Sequence, residues 1–166
     1  MNIETKPSLS VSFRLATDAD RARLIPLINS AFSIETFLEG DRTDEESLAA
    51  MMRKGAILAA EDGEGRLVGC VYMEVRGSER GYMGMLTVDP ARQRSGLGTR
   101  IMEAAEEHLR GQGCKAVDIL VLNLRPELPP IYRRHGYVES GTQKDGLHRT
   151  LKPGFEYHFI IMSKDL

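Results

Sequence analysis

The residues best suited to chemistry lie together in Arg92-Gln93-Arg94-Ser95-Gly96-Leu97-Gly98, a basic, glycine-bearing loop that runs straight into a helical pattern. A short apolar run ends at Val88, and Asp89-Pro90 turns the chain just before it. The first turn of a helix carries backbone N–H groups with no partner inside the helix. Together with the positive end of the helix dipole they form an anion site suited to phosphate. Arg92 and Arg94 add charge, and Gly96 and Gly98 allow a phosphate to approach the backbone. The same residues also read as an ordinary strand–turn–helix connection with surface arginines. Two familiar phosphate loops are excluded. Gly98 is followed by Thr99 and Arg100, with no P-loop lysine, and Ile101 stands where a dinucleotide fingerprint needs a third small residue.

The elements that must position this loop follow from periodicity. Val11 to Leu15 alternates as a strand. Thr17 or Asp18 caps a helix with Leu24, Leu27, Ile28 and Ala31 on one face, and Pro26 is expected to kink or restart it. Thr43 and Glu46 read as the capping box of a second helix that buries Leu48, Met51 and Met52. Ala56 to Ala60 and Leu67 to Val75 form a hairpin around Asp62-Gly63, and Tyr82 to Val88 is the next strand. The long helix from Leu97 ends at Gly111 and Gly113. Val117 to Leu122 is a strand, Pro126 to Arg134 a short helix, and Tyr137 to Thr142 and Phe155 to Met162 are closing strands. The order is that of an α/β domain with a mixed sheet.

Composition bounds the function. A chain of 166 residues makes one domain with a full core, here read as residues 11–166 behind a flexible N-terminal arm, residues 1–10. A net charge of −2 argues against a general nucleic-acid binder. No apolar run is long enough for a membrane span, and Met1 to Ser10 lacks the apolar region of a signal peptide. Cys70 and Cys114 each adjoin an apolar run and read as reduced packing residues rather than a disulfide. The cytoplasm is the expected compartment. The four histidines are too scattered to suggest a metal site, and none is expected. His148 and His158 could line a pocket, but exposed or packed histidines are the better reading.

The loop Gln93-Arg94-Ser95-Gly96-Leu97-Gly98 resembles the acyl-CoA pyrophosphate loop of the GNAT (GCN5-related) N-acetyltransferase superfamily, whose pattern is Gln/Arg-x-x-Gly-x-Gly/Ala. Ile131-Tyr132-Arg133-Arg134-His135-Gly136-Tyr137 supplies a second family pattern, a tyrosine shortly before a Gly-aromatic pair. The resemblance extends from about Phe13 to Met162 and implies a GNAT-like mixed, mostly antiparallel central sheet flanked by helices. It implies acetyl-CoA as cofactor, with its pyrophosphate on Gln93 to Thr99 and its pantetheine arm along the backbone of Leu86, Thr87 and Val88. Asn123 corresponds to an asparagine that contacts the cofactor in some relatives. Tyr132 corresponds to the general acid for the leaving thiolate. Gly84 is expected to mark a bulge that frees strand backbone groups.

Acyl transfer to an amine needs a neutral nucleophile, and a lysine-like amine of pKa ~10.4 must lose a proton first. The strand before the loop has no acid to serve as base. Glu74 and Asp118, on neighbouring strands, are candidates; each equally reads as a solvated strand residue, and a water chain to bulk is a third option. For the acceptor, Glu35, Glu39 and Asp41 border the cleft by resemblance and would draw in a cationic amine; acidic loops are also often merely solvated. The expected function is acetyl transfer from acetyl-CoA to a primary amine by direct attack in a ternary complex. The alternatives are an inactive acyl-CoA-binding sensor or interaction module, and a protein (N-terminal or lysine) acetyltransferase. The acceptor is a small-molecule or peptide amine, with no nucleic-acid or membrane partner, and a homodimer is consistent with the resemblance.

Overall fold

The computed structural model describes residues 10–166. The expected N-terminal arm, apart from Ser10, lies outside the described residues. The chain builds β1 (Ser12–Leu15), α1 (Arg21–Ala31), α2 (Glu45–Lys54), β2 (Ala56–Glu61), β3 (Leu67–Val75), β4 (Arg80–Val88), α3 (Leu97–Gly111), β5 (Ala116–Leu122), α4 (Leu128–Arg134), β6 (Val138–Gln143) and β7 (Phe159–Asp165). The strands form one seven-stranded sheet in the order β1-β2-β3-β4-β5-β7-β6. Every neighbouring pair is antiparallel except β4 and β5. Those two are joined through α3, the crossover that a parallel pair requires.

Strand alternation divides the core between the two faces. Val71, Met73, Met83, Val117, Ile119 and Met162 face α3, whose Leu97, Ile101, Met102, Ala105 and Leu109 supply the other half of that cluster. Cys70, Tyr72, Ile57 and Met85 face the opposite way, against Leu24 and Ile28 of α1 and Leu48 of α2. Cys70 and Cys114 are free buried thiols in these two separate clusters.

Local physics explains three departures from the sequence reading. Asp44, not Thr43, caps α2: its carboxylate accepts the Ser47 N–H at 2.8 Å, while Thr43 is buried and gives its own N–H to Asn29 Oδ1 at 2.9 Å. Pro26 lies inside a single α1 helix that continues to Ala31. Phe155 to His158 precedes the last strand as a loop rather than belonging to it.

The depth at which α3 seats on the sheet is set at Gly69. A side chain there would fall 2.5 Å from Ile101 Cδ1 and 2.7 Å from the Thr87 carbonyl oxygen. Gly69→Ala is therefore expected to cost about 1–3 kcal/mol, the usual penalty of overpacking. Urea unfolding measures it, and an unchanged midpoint would show that α3 shifts freely.

Candidate active site

The β4–β5 pairing stops early. The strands are in register from Arg80↔Ala116 to Met83↔Ile119 and pair no further. Beyond that point Gly84–Val88 and Leu120–Leu122 diverge, and a gap opens at the carboxyl ends of two parallel strands, where ligands of open α/β sheets bind. A bulge shapes the gap. Cys70 pairs with Thr87 and Tyr72 with Gly84, so the intervening Val71 faces both Met85 and Leu86. Met85, at φ 54°, carries the left-handed turn that this bulge needs.

Gly84 is therefore next to the bulge rather than its left-handed residue. Its missing side chain houses Tyr82: an added Cβ would lie 2.6 Å from the Tyr82 hydroxyl. The sequence reading passed over Tyr82. The signal was a large aromatic two positions before a strand glycine, on the same face of the sheet.

A cavity of about 40 Å³ at the gap is lined by Met83, Gly84, Met85, Leu86, Leu120 and Tyr132, among others. Tyr132 reaches it from α4 and packs edge-to-face on Tyr137, with ring centroids 6.0 Å apart. Tyr137 is fixed in turn, donating to Glu106 at 2.8 Å, which Lys164 neutralises at 3.0 Å. The apolar surroundings push the Tyr132 phenol up to about 12, against the pull of the Arg125 charge.

The candidate phosphate loop stands at the end of β4. A 3₁₀ turn, Pro90–Arg92, is capped by Asp89, which accepts the Ala91 N–H. Arg94 and Gly96 then take left-handed conformations, at φ 64° and 82°, and α3 begins at Leu97. An added Cβ at Gly96 meets nothing within 4 Å, and one at Gly98 meets only Val88 Cγ2, at 3.6 Å. The space over the helix start is open, which is what a backbone cradle for phosphate requires.

The loop's charge differs from the sequence reading. Arg92 is bound to Asp62 of the β2–β3 turn at 2.8 Å and anchors the loop, while Arg94 is exposed and makes no ion pair among the described residues. Ser95 is also committed, its hydroxyl donating to the Arg92 carbonyl at 2.5 Å. Thr99 lies 3.3 Å from His135 Nε2, which ties α3 to the end of α4. Thr87 is fully buried and donates to the Met85 carbonyl, so only its backbone remains for a ligand. Asn123 closes the end of the β5–β7 pairing, its Oδ1 accepting the His158 N–H at 2.8 Å. It lines an open cleft of about 700 Å³ with Lys144, Leu151, Phe155 and His158.

The candidate bases are locked. Glu74 is buried and receives the Tyr72 hydroxyl at 2.8 Å and Arg76 Nε at 3.1 Å. Burial works to raise its pKa, but those hydrogen bonds and the Arg76 and Lys54 charges outweigh it and hold the carboxyl below its usual value. Asp118 is gripped by Arg80 at 2.6 Å through both oxygens, and Ser163 donates to it at 2.5 Å. It too titrates below its usual range, because the Arg80 and Ser163 bonds overcome burial. A carboxylate held this firmly as an anion is a poor proton acceptor.

The expected acidic acceptor patch does not form around Glu35. Its carboxylate is buried between Arg125, at 3.0 Å, and Arg149, at 3.1 Å, both partners lying far along the chain. Those ion pairs staple together the loops after α1, β5 and β6. Glu39 and Asp41 are exposed nearby. Among the described residues no three His, Cys, Asp or Glu side chains gather as a metal set, and no helix is long and apolar enough to cross a membrane.

Residues 22–137 match the model of the acetyltransferase (GNAT) family. Glucosamine 6-phosphate N-acetyltransferase 1 of Oryza sativa subsp. japonica is 37% identical over 112 residues, 63% of this chain and 66% of that protein, so the chain spans less than two thirds of its length. S-(2-succino)cysteine N-acetyltransferase of Bacillus subtilis (strain 168) is 25% identical over 146 residues, 81% of this chain and 88% of the other. The solved structure of IAA acetyltransferase from Bacillus cereus ATCC 14579 superposes with a TM-score of 0.73 at 15% identity, over 95% of this chain and all of that one, a likeness of fold. The family match, the mostly antiparallel sheet and the gap beside Tyr132 agree: the chain belongs to the GNAT family of acetyltransferases.

Proposed function

We propose that this chain transfers an acetyl group from acetyl-CoA to a small-molecule primary amine by direct attack in a ternary complex. The carrying observation is the divergence of β4 and β5 after Met83 and Ile119, with the phosphate loop at its end and Tyr132 over it. In this reading the N–H groups from Arg94 to Thr99 hold the pyrophosphate and the β4 backbone around Leu86 lies along the pantetheine. A backbone donor there polarises the thioester carbonyl, an interaction worth ~3–4 kcal/mol when well aimed. Tyr132 supports the departing thiolate. The relatives named for glucosamine 6-phosphate and S-(2-succino)cysteine favour a small acceptor over a protein one.

The state of the two thiols supports direct attack over a covalent cysteine route. A covalent route needs an accessible thiolate. Burial pushes the Cys70 thiol up to about 12 and raises that of Cys114. Steady-state kinetics with acetyl-CoA and a panel of amines, following free thiol, tests the reading. Thiol release that depends on the amine, with intersecting double-reciprocal lines, is expected. Parallel lines would overturn direct attack, and acetyl-CoA binding without transfer would indicate the sensor.

Amine deprotonation falls to exchange with bulk solvent before attack, which at pH 7 costs only the ~3.4 units between an ordinary amine pKa and the pH, rather than to Glu74 or Asp118. Ordinary amine and carboxylate pKa values differ by about 6, on the order of 8 kcal/mol of unfavourable transfer, and both carboxyls lie lower still. The kcat/KM profile is expected to rise with pH along one limb that follows the acceptor's own pKa. Glu74→Gln and Asp118→Asn are each expected to cost less than ~10-fold and keep that limb, since losing a general base costs ~10²–10⁴-fold. Loss of the limb in either variant would reinstate that residue as the base.

A further inference from the structure

The loop between α1 and α2 carries a cation that the described residues leave open. Arg42 is half-buried, with its guanidinium 5.2 Å over the Phe32 ring. Among the described residues it makes no hydrogen bond and no ion pair. Its neighbours cannot supply one. The Glu35 carboxylate is taken up by Arg125 and Arg149, and Arg125 also holds Glu127 at 2.5 Å. Arg149 spends one nitrogen on Glu35 and another on the Gly40 carbonyl at 2.8 Å, and its buried Nε has no partner among the described residues. Three guanidiniums thus share two carboxylates, and donors remain unspent. Burial works against the Arg42 cation more than the nearby Glu35 charge supports it, and the Arg149 charge adds to the deficit. An arriving oxyanion relieves both.

The cluster stands at the mouth of the β4–β5 gap. Arg125 follows the end of β5, its N–H bonded to the Leu122 carbonyl at 2.9 Å. Across the gap, the Tyr82 hydroxyl lies over Gly84, which lines the same cavity as Tyr132. Glu35 ties Arg125, at the end of β5, to Arg149 and to the loop that carries Arg42, so the cations border the gap where an acceptor must enter. A guanidinium fork matches a carboxylate or a phosphate in two-point contact, which selects such groups by shape as well as charge.

Building on the acetyl-transfer reading, we propose that Arg42, backed by Arg149, binds an anionic group, carboxylate or phosphate, carried by the acceptor, whose substrate class is therefore anionic amines. The amine end then points to the gap while the anion stays with the loop. The cluster replaces the negative field expected from Glu35 with a positive one.

Two arms test this on the full chain. In the first, CoA-saturated protein is titrated with inorganic phosphate and, separately, with succinate, followed by thermal midpoint. Saturation with CoA occupies the other phosphate site. Both anions are expected to raise the midpoint, and Arg42→Gln is expected to abolish the rise; Arg53→Gln, the same charge change on exposed α2 surface, keeps it. In the second arm, glucosamine 6-phosphate is compared with glucosamine, and a free α-amino acid with its amide. The anionic member of at least one pair is expected to be preferred by about 30–100-fold in kcat/KM, within the range of charged hydrogen bonds. The preferred pair identifies phosphate or carboxylate. Arg42→Gln removes the preference through KM, Arg42→Lys restores part of it, and acetyl-CoA affinity stays constant. Should Arg42→Gln not fold, Arg42→Lys carries the comparison through a reduced preference. Equal use of neutral and charged partners, or an anion-induced rise unchanged in the Arg42 variants, overturns the anion site and leaves acetyl transfer standing. Thiol release with no amine, alongside an anion response lost in Arg42→Gln, overturns the transfer reading and leaves the anion site standing.

Discussion

Gly98→Val is expected to weaken acetyl-CoA binding by at least ~10²-fold while the protein stays folded, because the fold itself leaves room for a side chain at position 98. A Cβ there would touch only Val88 Cγ2, at an ordinary 3.6 Å. Glycine inside a helix is less favourable than most residues by several tenths of a kcal/mol or more, so valine does not weaken α3. What valine fills is the open space over the helix start, where N–H donors and the dipole favour phosphate. Losing two or more charge-assisted hydrogen bonds, at about 1.5–3 kcal/mol each, accounts for the size of the effect. Gly96→Val is also expected to lose the cofactor, but Gly96 caps α3 at φ 82°, and a β-branched residue there strains the backbone as well. Gly98→Val separates binding from folding. Calorimetric titration with acetyl-CoA, beside a thermal melt, measures both, and an unchanged affinity in the folded variant would remove the loop from the cofactor site.

The loop was legible in sequence because its physics is local: a strand, a turn, two glycines and a helix start within a short span. The roles of its arginines were not. Arg92 looked like a phosphate ligand, yet its partner Asp62 lies 30 residues away in the β2–β3 turn. Glu35 read as an acceptor-recruiting acid, or else a solvated one, because Arg125 and Arg149 stand 90 and 114 residues from it. Only closure of the sheet brings three loops together and converts that acid into a staple. Gly84 pointed to the right place on β4 for an incomplete reason. The distortion belongs to Met85, and Gly84 is small because Tyr82 lies over it. Asp118 shows the same limit, since strand alternation gives its face but not the Arg80 guanidinium that reaches it from 38 residues away; the Arg76 partner of Glu74, two residues on along the chain, was within reach of the sequence. Charges whose pairing spans the chain are the part of a site that periodicity cannot read.

Tyr132→Phe is expected to lower turnover by about 10²-fold and leave acetyl-CoA affinity unchanged. The ring contributes packing, edge-on to Tyr137, and phenylalanine keeps that contact, so the change removes the hydroxyl alone. With its pKa near 12, the phenol stays protonated across any workable assay range. The departing thiol has an ordinary pKa of ~8.5, so complete proton transfer from Tyr132 to the thiolate is uphill by about 3–4 pKa units. On the acetyl-transfer reading the hydroxyl is then mainly a hydrogen-bond donor to developing charge, which places its expected contribution at the low end of the ~10²–10⁴-fold range for acid catalysis. Two consequences separate this role from packing. The alkaline side of the wild-type profile should show no fall from Tyr132 ionisation below about pH 11. The deficit of Tyr132→Phe should also shrink with an acetyl thioester analogue whose thiol is more acidic, because that thiolate needs less help to leave. Single-turnover measurements with both thioesters isolate the chemical step. Wild-type rates in the variant under those conditions would make Tyr132 a packing residue and leave the thiolate to depart unaided.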